Sequence, residues 1–113
     1  MGLDATVYRR GHAADDDDCA EYEVIHRRLG NVADVAHLRR QASRRLAASS
    51  VVLSKVLYDG SHSGDAVAVE LAPAVQAELA ALASDDDPGM REFVRSMSEL
   101  VEAALREANP ICF

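Results

Sequence analysis

Residues 87–113 read DPGMREFVRSMSELVEAALREANPICF, and three signals in that stretch decide the fold. Asp87 can cap a helix and Pro88 suits its first turn, where a missing N–H costs nothing. Met90, Phe93, Val94, Met97, Leu100, Val101, Ala104, Leu105 and Ala108 then keep an i, i+3, i+4, i+7 rhythm, which predicts one long helix with a wide apolar stripe. Asn109-Pro110 stops it, because the residue before a proline is pushed out of the helical region. The terminal tripeptide Ile111-Cys112-Phe113 is apolar and too short to be a helix. Such an end is expected to be pinned as a short strand beside other strands.

Those other strands are legible at the opposite end. Leu3-Asp4-Ala5-Thr6-Val7-Tyr8 alternates apolar and polar residues, predicting a strand with Leu3, Ala5 and Val7 facing inward. Residues 21–29 form a second candidate strand, broken at Gly30, and the two pair naturally as an antiparallel hairpin. His26, inside the second strand, is expected to be a packed or surface residue. Asn31 can cap a helix whose apolar positions are Val32, Val35, Leu38, Ala42 and Leu46, with Arg39, Arg40, Arg44 and Arg45 on its polar face. Residues 50–58 suit a short helix, although their Val-rich composition also allows a strand. Leu71, Val75, Leu79 and Leu82 space a further helix with Pro73 in its first turn. The expected architecture is α+β: a small antiparallel sheet made by the two chain ends, packed against about four helices.

Composition bounds the rest. At 113 residues the chain reads as a single domain, with an acidic loop at about 10–20 expected to be flexible because Asp15-Asp16-Asp17-Asp18 resists packing. The hydrophobic fraction is 49% but aromatics are only 4% and Trp is absent, so the core must come from Leu, Val and Ala. The formal charge is −7, and it is uneven: residues 1–57 carry nine Lys and Arg against eight acids, residues 58–113 three against eleven. A negative field of this kind repels nucleic acid and anionic membrane and attracts basic protein surfaces. The Arg pairs at 9–10, 27–28, 39–40 and 44–45 lack the interleaved aromatic residues that stack on bases, which argues further against nucleic acid. Cys19 and Cys112 show no disulfide or metal spacing, and no apolar run approaches the roughly 20 residues that span a bilayer, so free thiols and a cytoplasmic setting are expected.

Chemistry-bearing residues gather in Tyr58-Asp59-Gly60-Ser61-His62-Ser63-Gly64-Asp65. The twelve residues from Asp59 to Glu70 trace the outline of a calcium loop, but Ser61 and Ser63 stand where Asp or Asn is usual. Held by Asp59 or Asp65, His62 is a candidate acid–base group; with His26 or His37 it is a candidate metal ligand. The same loop can present Tyr58 and His62 to a partner, or serve as a structural turn whose Asp and Ser side chains bond the backbone. The four-Asp run reads as a solvated acidic loop rather than a calcium site, since consecutive side chains point apart.

The opening Met-Gly-Leu-Asp with nearby Tyr8, the segment from Lys55 to Asp65 and the ending Asn109-Pro110-Ile111 resemble a group of small uncharacterised bacterial proteins. The resemblance covers the whole chain, with the Asp-rich loop as its variable part, and implies no activity. The functional expectation therefore rests on charge. It is a small acidic interaction module, an inhibitor or immunity-type binder of a basic protein, with Tyr58, His62, Asp85, Asp86 and Asp87 as contact residues and no cofactor. Self-association stays open beside it. The alternative is a small enzyme or metal-binding protein centred on His62, Asp59, Asp65 and Tyr58.

Overall fold

The computed structural model describes residues 2–58 and 65–113. Strand β1 (Gly2–Tyr8) pairs antiparallel with β2 (Glu23–Asn31) and, on its other side, with β4 (Ile111–Cys112). The sheet is completed by β3 (Ala66–Val67), which pairs antiparallel with β4, so the spatial order is β2-β1-β4-β3. The α+β architecture is thus as expected, with the C-terminal tripeptide feeding a strand beside the N-terminal hairpin. One correction concerns the make-up of the sheet: the chain ends do not build it alone. Val67 is drawn in from mid-chain because it buries its side chain to 1% exposure opposite Ile111, on the face that packs against the helices.

β1 alternates as expected, with Leu3, Ala5 and Val7 in the core, and Thr6 and Tyr8 are also buried on the alternate face. The second strand departs from its expected bounds. Residues Cys19–Tyr22 form a 3₁₀ turn, β2 begins at Glu23, and it runs through Gly30 to Asn31. Gly30 is therefore not a breaker. Its φ of +145° needs a glycine, and a Cβ there would come within 2.6 Å of Asp34 Cβ, so it lets the strand turn directly into the next helix.

That helix, α1 (Val32–Ala42), opens with the expected Asn31 cap as a full capping box. The Asp34 amide donates to Asn31 Oδ1 at 2.8 Å and the Asn31 amide donates to Asp34 Oδ2 at 2.9 Å. Two expectations fail here. Val32 is 70% exposed, because as the first helical residue it lies outside the stripe of Leu38 and Ala42 that meets the core. The helix also stops at Ala42, so Arg44, Arg45 and Leu46 lie beyond it and the four arginines form no single helical face.

Residues 51–56 are helical rather than extended, with a π-helical turn at Val52–Val56 closed by Leu57 N–H donating to Val52 O at 2.8 Å. A 3₁₀ turn at Val69–Leu71 leads into α2 (Ala72–Leu82), which carries Pro73 in its first turn and buries Val75, Leu79 and Leu82. α3 (Pro88–Glu107) starts at the Asp87 cap and buries Met90, Phe93, Met97, Leu100, Val101 and Ala104 along one face. Leu105, expected on that face, is 42% exposed. The helix ends on Ala108 in the left-handed conformation, and Asn109 N–H closes the last turn on Ala104 O.

Candidate functional site

The central loop is anchored at its stems. The Tyr58 hydroxyl donates to the Asp65 carboxylate, and the Asp65 main-chain carbonyl accepts from Phe113 N–H at 2.9 Å. The phenol is thereby held above its ordinary pKa, first by this hydrogen bond, then by burial and by repulsion from the carboxylate. Asp59, Ser61, His62 and Ser63 lie outside the described residues. So does the first half of the calcium-loop outline, residues 59–64, while its last member, Glu70, is exposed in the Val69–Leu71 turn.

The other two candidate ligand histidines are engaged separately. His26 is exposed on β2 and its Nδ1 is hydrogen-bonded to Thr6 Oγ1 at 2.8 Å. His37 projects from α1 toward the start of α3, with Nε2 2.9 Å from Asp87 Oδ1. Among the described residues no group of three or more His, Cys, Asp or Glu is placed to hold a metal ion.

Three acids chosen from sequence for partner contact have different surroundings. Asp85 is only 7% exposed: its carboxylate accepts from Asp87 N–H at 2.9 Å and lies 3.4 Å from Arg45 Nε. Asp87 caps α3 by accepting from Met90 N–H at 2.9 Å and holds His37 with its other oxygen. These bonds, the one to His37 first and that of the Met90 amide second, depress the Asp87 pKa. Asp86 alone of the three has a fully exposed side chain, 3.6 Å from Arg91.

A more open acidic surface is carried by residues 13–23. The chain leading into it, residues 8–12, is held by several bonds, and two contacts at Tyr22 tie the segment's end back to that chain. The Asn109 side-chain amide donates to the carbonyls of Tyr8, Arg9 and His12 at 3.0, 3.1 and 2.9 Å. Arg9 N–H donates to Tyr22 O at 2.7 Å, and the Arg10 amide donates to the Glu107 carboxylate at 3.1 Å. The His12 ring stacks on Tyr22 at a centroid distance of 3.5 Å, and Asp16 accepts from the Ala13 amide. Asp15, Asp17, Asp18 and Glu21 are left exposed and form no ion pair among the described residues. The signal for this surface was present in sequence, as no Lys or Arg occurs between Arg10 and Arg27. What sequence could not supply is the Asn109 latch, about a hundred residues away.

Arg28 and Leu29 of β2, Asp34, His37 and Leu38 of α1, and Gly89, Glu92, Phe93 and Ser96 of α3 line a cleft of about 230 Å³. The α1 and α3 residues recur at helical spacing, so each helix offers one stripe to it. Compared with family models, with curated proteins and with solved structures, the chain has no match.

Proposed function

We propose that the protein is a small acidic interaction module that captures a basic protein partner, in the manner of an inhibitor or immunity-type binder. The observation that carries this reading is the 13–23 segment. Its end is tied back to Arg9 through the Tyr22 carbonyl, and the residues leading into it, 8–12, are held by Asn109 just beyond α3, while Asp15, Asp17, Asp18 and Glu21 face solvent with no cation among the described residues to neutralise them. Fixed like charges of this kind raise the encounter rate with a positively charged surface and lose much of that advantage in salt. Asp86 adds to the field, whereas Asp85 and Asp87 serve the fold itself. Tyr58 and His62 stay in the reading as partner contacts from the central loop. Among the described residues no helix is long and apolar enough to cross a membrane. The free thiols of Cys19 and Cys112 fit a cytoplasmic setting.

The test compares two forms of the protein. The parent and a triple variant, Asp15→Asn with Asp17→Asn and Asp18→Asn, are immobilised and exposed to native lysate over a series of salt concentrations. A basic protein retained by the parent, lost in high salt and lost from the variant is the expected result, with association slowed by about ten-fold when the purified pair is measured. Equal retention on both forms, or a captured partner that is itself acidic, would overturn the reading.

A further inference from the structure

We propose that the cleft between β2, α1 and α3 binds a small monocarboxylic acid with an apolar body. Its floor is apolar: Leu29, Leu38 and Phe93 are 8%, 2% and 2% exposed. Its polar groups are unequally occupied. Asp34 accepts from the Asn31 amide at 2.9 Å, Glu92 is paired with Arg95, and His37 is held by Asp87. Arg28 forms no ion pair among the described residues, and its guanidinium passes so close to Gly2 that a Cβ there would lie 2.5 Å from Nη2.

Ser96 supplies the second, independent sign of a ligand. It is 7% exposed, lines the cleft, and its hydroxyl makes no hydrogen bond among the described residues. A buried hydroxyl without a partner is costly, and Ser in a helix ordinarily relieves that cost by bonding a carbonyl one turn back. Lining the cleft, it has a donor to offer a molecule bound there. A guanidinium fork matches a carboxylate in shape and charge, the Ser96 hydroxyl adds one donor, and the apolar floor takes the rest of the molecule. The volume of about 230 Å³ falls below the roughly 300–1,000 Å³ of sites for drug-sized ligands, which limits the occupant to a small acid.

Phenylacetate is a suitable probe, with phenethyl alcohol and phenethylamine as controls that keep the ring but lose or invert the charge. In NMR titrations of the full chain, phenylacetate should give saturable shifts at the amides of Leu29, Leu38, Phe93 and Ser96, and the controls should not. Arg28→Gln alters an exposed side chain and should weaken binding about ten-fold or more. Ser96→Ala should weaken it about five-fold, the loss of one hydrogen bond, while the free protein melts at the same or a higher temperature. That combination separates a ligand-facing hydroxyl from a structural one. No saturable shift, shifts centred elsewhere, equal response to the alcohol or amine, or undiminished binding by the Arg28 variant would each overturn the proposal.

Discussion

Protonating Asp87 takes a charged acceptor away from the His37 ring and from the Met90 amide in the first turn of α3. Its folded pKa lies below the ordinary carboxylate value, so between the two values the unfolded chain binds the proton that the folded chain refuses. The stability that Asp87 contributes is therefore fully present above the unfolded pKa of about 3.9, and is lost as pH falls through the folded value. Asn is itself a good cap, which makes Asp87→Asn a variant that keeps the amide partner and removes the titration. Thermal melts of both proteins between about pH 2 and 5 should show the parent ahead at the upper end and the gap closing toward the lower. A gap that stays constant across that range would show that the charge contributes nothing. The cap itself was legible from Asp87-Pro88 standing before an apolar helical rhythm. The histidine was not, because His37 sits fifty residues earlier, and its approach depends on how α1 packs against the start of α3.

At the scale of an element, the segment 51–57 shows how a distant residue chooses between two local conformations. Val51-Val52-Leu53-Ser54-Lys55-Val56-Leu57 is rich in β-branched side chains, and nothing adjacent to it forces a helix. Helices leave their first amides without partners, and here the Glu78 carboxylate from α2 accepts from Val51 N–H at 3.0 Å and from Val52 N–H at 2.8 Å. Ser50 Oγ takes the Leu53 amide, and the helical form buries Val52, Val56 and Leu57 completely. Glu78→Ala orphans two half-buried amides and should cost about 1–3 kcal/mol in denaturant unfolding. Glu78→Gln, which still offers one oxygen, should cost less. Hydrogen exchange localises the effect: protection should fall at Val51 and Val52 and stay unchanged in α3, and uniform loss of protection would argue against a capping role.

At the scale of the whole molecule, the C-terminal strand is an interior strand, lying between β1 and β3. Removing residues 111–113 takes away Ile111, which is 1% exposed, leaves β3 without its neighbour, and frees the Asp65 carbonyl. Burial of Ile111 alone is worth about 1.5–3 kcal/mol, so the truncated chain should melt lower by roughly 5–15 °C. A melting temperature within about a degree of the parent would mean that the tail does not hold the sheet. The sequence by itself determined the features that depend on neighbours along the chain. These are the long α3 with its Asp87-Pro88 start and Asn109-Pro110 stop, the Asn31 cap, the alternation of β1, and the apolar tail that had to be covered. Tertiary structure decided what depends on groups meeting across long separations. It brought Val67 into the sheet opposite Ile111, turned 51–56 into a helix through Glu78, and buried Asp85 beside Arg45. It also latched residues 8–12, which lead into the Asp-rich segment, to Asn109. The physical reason is common to all four: a two-residue strand, a capped π turn, a buried carboxylate or a tied loop has too few local bonds to offset its own cost, so each forms only where the rest of the fold supplies the missing partner.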